Sequence, residues 1–144
     1  MTNKMDFIDK NILVGGATNG IGWASAKQFA ERGGNVTLVS RNIDLLKQRV
    51  SKLQNNGAQK HLIIPLDFSK PIELEKSLKE FISINSIEYD VVINNTGGPP
   101  GGPLENAQTE DLLSALNLHL ISFHKILRTI LSGMKNKESG RIIN

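Results

Sequence analysis

The sequence contains no cysteine among its 144 residues. That absence excludes disulfide frameworks, thiolate zinc sites, iron–sulfur clusters and cysteine nucleophiles together. No apolar run reaches the roughly eighteen residues that a membrane-spanning helix needs. Residues 1–10 carry acidic side chains and lack an apolar core, which is not the pattern of a secretory signal. We therefore expect a cytoplasmic protein with no membrane partner.

Aromatic residues are also scarce, at 5%, and the charge is nearly balanced. The net charge of +3 gives a pI near 9.3, but the cations are scattered and form no basic stripe with interleaved aromatics. Nucleic-acid binding is therefore not predicted, although it stays open as a rival that salt-dependent DNA retention would reveal. The three histidines have no partners at ligand spacing, so no metal site is predicted. With 39% hydrophobic and 22% charged residues, the chain is expected to fold.

Apolar runs alternate with helical patterns along the whole chain. Nearly continuous apolar runs are typical of strands buried on both faces, and repeated strand–helix–strand units imply right-handed crossovers. We therefore predict an α/β fold of three layers, a Rossmann-type doubly wound parallel sheet with strand order 3-2-1-4-5 over residues 1–144. The predicted strands are 12–14, 35–40, 61–66, 90–94 and 141–144, and the predicted helices are 21–32, one through 43–53, one from Pro71 and a long one from Thr109.

The long helix carries the clearest periodicity. Its apolar residues are spaced alternately three and four apart, which predicts one continuous apolar seam along one face. These residues are Leu113, Leu116, Leu120, Phe123, Leu127, Ile130 and Met134.

A glycine-rich turn follows the first predicted strand and opens the first helix. Gly16 permits a tight turn, Gly20 lets the backbone approach a diphosphate, and Gly22 lets the helix pack closely on the strand. The N-terminus of the helix then offers free N–H groups to phosphate oxygens. Thr18, Asn19 and Ile21 lie in the same turn and are assigned to the cofactor site. This context predicts dinucleotide binding.

The G-x-x-x-G-x-G spacing resembles that of the short-chain dehydrogenase/reductase family. The loop at 97–105 (GGPPGGPLE) resembles most its 3-oxoacyl-carrier-protein reductases. The resemblance covers the whole chain, although Gly15 and Thr96 stand where the family usually has threonine and alanine. It implies hydride transfer between a nicotinamide and a carbonyl or alcohol. The matching positions are the acid Asp67 with its neighbour Phe68, the motif Asn94, Asn95, Thr96 and Gly97, the catalytic asparagine Asn117, and the fifth strand from Arg141.

The end of the second strand indicates which nicotinamide cofactor is bound. An NAD site usually has a carboxylate there, but this sequence has Ser40 and Arg41, and no acid before Asp44. Arg41 can form charge-assisted bonds to a 2′-phosphate, and Ser40 can donate another. We therefore predict NADP(H) rather than NAD(H).

The rest of the catalytic set that the resemblance implies is missing. The single tyrosine is Tyr89, and Ile93 stands four residues later where the family has lysine. The serine of that set would follow the fifth strand. We expect these residues to be the N-terminal part of a reductase of about 250 residues, inactive by themselves, that forms homodimers or homotetramers through residues 109–135. The alternative is a truncated, inactive dinucleotide-binding or dimerising module.

Overall fold

A computed structural model describes residues 6–98 and 101–144. Five strands form one parallel sheet in the order β3-β2-β1-β4-β5, as the sequence predicted. Residues 1–5, and Pro99 and Pro100 of the predicted loop at 97–103, lie outside the described part. The elements are β1 (Asn11–Val14), α1 (Gly20–Glu31), β2 (Asn35–Ser40), α2 (Ile43–Val50), β3 (Leu62–Pro65), α3 (Pro71–Asn85), β4 (Val91–Ile93), α4 (Thr109–Leu116), α5 (Ser122–Asn136) and β5 (Arg141–Ile143), with a short 3-10 turn at Leu104–Asn106.

Local sequence signals explain where these helices begin. Asn42 caps α2, because its Oδ1 accepts hydrogen bonds at 3.0 Å from the N–H groups of Asp44 and Leu45. Pro71 stands in the first turn of α3, where a missing N–H costs nothing. Gln108 forms a reciprocal capping box with Asp111 at the start of α4.

The sheet is packed on both faces, and the alternation along β1 shows this directly. Ile12 and Val14 point to a buried cluster beneath α1 and α2, whereas Leu13 points to a second cluster beneath α3 and α5. All three side chains are at most 1% exposed. Within the described residues no helix combines the length and apolarity that crossing a membrane requires.

The prediction of one uninterrupted helix from Thr109 was wrong. A π turn at Asn117–Ile121 separates α4 from α5, and the N–H of Ser122 bonds to the carbonyl of Asn117, five residues back. The Ser122 hydroxyl donates to the Leu118 carbonyl at 2.6 Å, so a side chain satisfies a carbonyl that the ordinary helical ladder would have used.

The π turn also divides the predicted apolar seam, because its wider turn rotates the following residues relative to those before it. Leu113, Leu116 and Leu120 are exposed, while Ile130 and Met134 are buried. In α5 the buried positions repeat every four residues, and they include a serine and an isoleucine outside the predicted seam. These positions are Ser122, Ile126, Ile130 and Met134.

Candidate cofactor-binding cleft

A cleft of about 760 Å³ opens at the carboxyl ends of the strands. Its size lies within the range of small-molecule sites, and in open parallel sheets ligands bind at this edge, where the strand order reverses. The reversal lies between β1 and β4, which are neighbours in the sheet but far apart in sequence. The lining residues are Gly16, Thr18, Asn19, Gly20, Ile21, Ser40, Arg41, Asp67, Phe68, Ser69, Asn95, Thr96, Gly97, Gly98, Ser114 and Leu118.

The glycine turn has a geometry that larger residues would not tolerate. Gly16 and Gly20 have φ of +56° and +53°, in the left-handed region that favours glycine. A Cβ on Gly22 would lie 2.4 Å from the Gly16 carbonyl oxygen, which explains how closely α1 approaches the turn. A Cβ on Gly15 would lie 2.5 Å from the Asn95 carbonyl oxygen. Glycine, and not the threonine usual in the resembled family, therefore fits the packing at this position.

The first turn of α1 is open to an anion. Asn19 has the extended backbone of an N-cap, but its side chain caps nothing. Its Oδ1 instead accepts a hydrogen bond of 3.0 Å from Nη2 of Arg49, which reaches across from α2. The side chain that would normally satisfy the first N–H groups is therefore held aside, and no acidic residue occupies that turn. Gly20 and Ile21 line the cleft, so the helix end can hold a diphosphate there.

The end of β2 presents hydroxyl groups and a cation. The Oγ atoms of Ser40 and Thr18 lie 3.5 Å apart across the turn, and Arg41 is exposed beside them. Burial alone would raise the pKa of the Asp67 carboxyl. Two hydrogen bonds from Ser69, at 2.7 and 2.9 Å, together with the charges of Arg41 and Lys70, hold that pKa below its usual value. Asp67 is therefore ionised at neutral pH.

Two predicted cofactor residues lie outside the cleft lining. Gly22 is buried beneath the turn, where it sets the packing of α1. Asn94 is 5% exposed and joins β4 to β5, since its N–H donates to the Ile143 carbonyl and its Nδ2 to Asn144 Oδ1, both at 2.8 Å. Its Oδ1 is buried and has no partner among the described residues. A direct cofactor contact by either residue stays a prediction.

Asn95 fastens the floor of the cleft to the glycine turn. Its Nδ2 donates to the Gly15 carbonyl at 3.2 Å, and the Gly15 N–H donates to the Ile93 carbonyl at 2.9 Å. Thr96 and Gly97 continue along the wall. Phe68 is buried and meets the ring of Phe123 edge-on, with the ring centroids 6.2 Å apart. The apolar floor is thereby attached to α5.

Asn117 stands at the start of the π turn with its side chain exposed. It is not among the lining residues, but Leu118 and Ser114 on either side of it are. The predicted site lacked these two residues, the lining residues Ser69 and Gly98, and Arg49. The helical spacing of four between Ser114 and Leu118 was a usable signal. For Arg49 the sequence offered none.

Tyr89 cannot supply an acid to this cleft. It is 1% exposed, and its hydroxyl donates to Thr37 Oγ1 at 3.1 Å inside the core. Burial raises the pKa of the hydroxyl, and the hydrogen bond to Thr37 offsets this only in part. The sequence-based conclusion that Tyr89 is not the proton donor of the resembled family agrees with this placement.

The sheet order and the glycine turn, with the cleft beside it, define a Rossmann-type α/β protein. The chain belongs to the short chain dehydrogenase family, whose model matches residues 10–144. This confirms the family that the motifs indicated.

Curated relatives agree with that assignment. The chain is 31% identical over 137 residues to carbonyl reductase family member 4 of Xenopus laevis, covering 95% of this chain and 56% of the relative. It is 29% identical over 140 residues to a 3-oxoacyl-acyl-carrier-protein reductase of Chlamydia muridarum, covering 95% and 55%. The chain thus spans about half the length of the curated relatives it matches.

A solved structure shows the same fold. L-sorbose reductase from Gluconobacter frateurii, complexed with NADPH and L-sorbose, superposes with a TM-score of 0.86 at 24% identity. The match covers 96% of this chain and 52% of that one.

Proposed function

We propose that these residues form the NADP(H)-binding part of an oxidoreductase acting on a carbonyl or alcohol substrate. The observation that carries the proposal is the pairing of an uncapped α1 N-terminus with Ser40 and Arg41 on one cleft. A bound reduced nicotinamide would donate a hydride to a carbonyl carbon, and an oxidised one would accept a hydride from an alcohol. The residues described here would hold the diphosphate at Gly20 and Ile21 and orient the rest of the cofactor along Asn95 and Thr96.

The preference for NADP(H) follows from the charge at the end of β2. A carboxylate there would repel a 2′-phosphate, and the strand ends instead in Ser40 and Arg41. The Thr18 and Ser40 hydroxyls can donate to phosphate oxygens, and the guanidinium of Arg41 can bind two of them at once. The L-sorbose reductase of similar fold was solved with NADPH, which supports this preference.

Asn117 is proposed as the member of the catalytic set that these residues contain. In this proposal its amide, at the helix break, holds a water molecule that passes protons toward the reacting oxygen. The tyrosine, lysine and serine that complete the set would come from residues outside this sequence. A second candidate is binding without turnover, because the 144 residues hold a cleft but no Tyr-x-x-x-Lys pair.

The test is cofactor titration followed by turnover in the full-length protein. We expect NADPH to bind more tightly than NADH, and NADPH to be oxidised when ketones of graded size are added. If the protein binds NADPH but no ketone causes NADPH oxidation, the result would support the second candidate, binding without turnover. A protein that binds neither cofactor would contradict both candidates.

We also propose association through residues 109–135. Leu113, Leu116 and Leu120 are each about half exposed or more and form an apolar surface next to the cleft, the kind of surface that marks an interaction site. A second copy meeting this surface would give a homodimer or, with a further interface, a homotetramer. Sedimentation over a range of protein concentrations tests this, and a monomer throughout would contradict it.

A further inference from the structure

Arg49 is placed where sequence reasoning expected no cofactor residue. It lies near the end of α2, yet its Nε donates to the Thr18 carbonyl at 2.7 Å and its Nη2 to Asn19 Oδ1 at 3.0 Å. Both acceptors belong to residues that line the cleft. The guanidinium is therefore hydrogen-bonded directly to two residues of the wall of the proposed cofactor site.

The guanidinium is held in place by an aromatic ring as well. Its central carbon lies 5.0 Å from the centroid of the Trp23 ring on α1. Stacking on an aromatic face and a forked pair of hydrogen bonds restrict a side chain that would otherwise sample many rotamers. The charge is consequently presented at a defined position beside the glycine turn.

Among the described residues, the charge of Arg49 has no carboxylate partner. In the part of the chain that the structure describes, no ion pair involves Arg49, and its two hydrogen-bond acceptors are neutral oxygens. Arg41, by contrast, lies close enough to Asp67 for its charge to lower the pKa of that carboxyl. Arg49 thus keeps a charge beside the glycine turn that none of the described ion pairs takes up.

We propose that Arg49 is a specificity-determining residue that binds the 2′-phosphate of NADP(H) together with Arg41. The inference rests on the proposed function and extends it to a residue on a third element. A phosphate dianion at this corner would meet the Thr18 and Ser40 hydroxyls, whose oxygens are 3.5 Å apart, with one guanidinium from the end of β2 and one from α2. Two N–H groups of the Arg49 guanidinium are already engaged, and its other N–H groups remain for the phosphate oxygens.

The experiment compares NADPH and NADH affinities of the full-length protein and three variants. Arg49→Gln should weaken NADPH binding about tenfold or more while changing NADH binding by less than about twofold, because only NADPH carries the 2′-phosphate. Arg49→Lys keeps the charge and loses the fork, so its NADPH loss should be smaller. Lys47→Gln removes one charge from an exposed position of the same helix and should leave the NADPH-to-NADH ratio nearly unchanged.

A purely structural role for Arg49 predicts a different result. Equal losses for both cofactors in Arg49→Gln, or an unchanged ratio, would overturn the proposal. Failure of the proposed function would be seen in the unmutated protein, as no preference for NADPH or no binding, and the Arg49 proposal would fall with it. If Arg41→Glu abolishes an NADPH preference that Arg49→Gln leaves intact, the proposal for Arg49 alone is overturned.

Discussion

The chain buries its apolar side chains very differently on the two sides of β4. On the side of β1 and β2, Ile12, Val36 and Leu46 are completely buried. On the side of α4 and β5, Leu113 is 55% and Ile143 is 49% exposed. The first side also holds most of the cleft wall, while the second contributes Ser114 and Leu118.

The difference follows from the neighbours that each element has. β1 pairs with β2 and β4 and is covered on both faces, whereas β5 pairs with β4. α4 contacts mainly the π turn that follows it. The glycine turn and the β2 end therefore acquire their geometry within the described residues. The apolar face of α4 can gain stability only from a further surface.

The largest expected effect is on the free energy of unfolding, and it is tested by replacing one leucine on each side. Leu46→Ala should lower the free energy of unfolding by about 2–5 kcal/mol, because it empties a fully buried position. Leu113→Ala should change it by no more than about 0.5 kcal/mol, since the side chain is already exposed. Urea denaturation of the 144-residue chain measures both. A large loss for Leu113→Ala that grows with protein concentration would mean that a second copy covers α4.

Charge reversal at the β2 end tests the cleft side alone. Arg41→Glu should weaken NADPH binding by about 100-fold relative to NADH, since it replaces attraction to the 2′-phosphate with repulsion. Isothermal titration of both cofactors gives the ratio. Arg128→Glu, on the exposed face of α5, is the control for net charge. Equal losses for NADPH and NADH would show that Arg41 does not contact the phosphate.

A pair of glycine substitutions sharpens the same contrast. Gly22→Ala should cost about 1–3 kcal/mol, because its Cβ would lie 2.4 Å from a backbone oxygen that cannot easily move. Gly133→Ala in α5 meets the Glu88 side chain at 3.4 Å, ordinary contact, and should be neutral or stabilising by up to about 1 kcal/mol. Thermal unfolding distinguishes them. Similar costs at both positions would refute the packing argument for Gly22.

Acid should weaken the packing around His61, beside β2, and around Glu75, between α3 and α5, at different pH. Burial lowers the pKa of His61, and its hydrogen bond to the Gln54 carbonyl offsets this only in part. Protonation of His61 therefore opposes folding, and its contribution to stability is lost as pH falls below about 6.5. Hydrogen bonds from Lys125 and Lys79 hold the pKa of Glu75, between α3 and α5, at about 2. The Glu75 contribution is present above its usual value of about 4.5 and is lost between there and about pH 2.

Unfolding of the chain and of His61→Gln at about pH 7 and about pH 5 measures the first effect. We expect the unmutated chain to lose more stability than the variant over this interval. An equal loss in both would assign the acid sensitivity to other groups.

The sequence predicted the sheet well because its signals are local. Apolar runs marked every strand to within two residues, and the glycine spacing identified the turn together with the reasons for Gly16 and Gly22. The interrupted long helix could not be predicted from the same signals. Its three-and-four spacing is equally regular with or without a π turn. The hydrogen bond of the Ser122 hydroxyl to the Leu118 carbonyl accompanies the turn, and serines make the same bond in ordinary helices.

The sequence by itself determined the strand–helix alternation, the parallel sheet, the glycine turn and the absence of a carboxylate at the end of β2. These features depend on residues that are close in sequence and on the spacing of apolar side chains along each element. The tertiary structure decided that Arg49 reaches Thr18 and Asn19, thirty-one and thirty residues away, and that Asn19 leaves α1 uncapped. It also decided that Asn94 joins two strands. Such contacts form between elements brought together by burial of the sheet, and no spacing within one element encodes them.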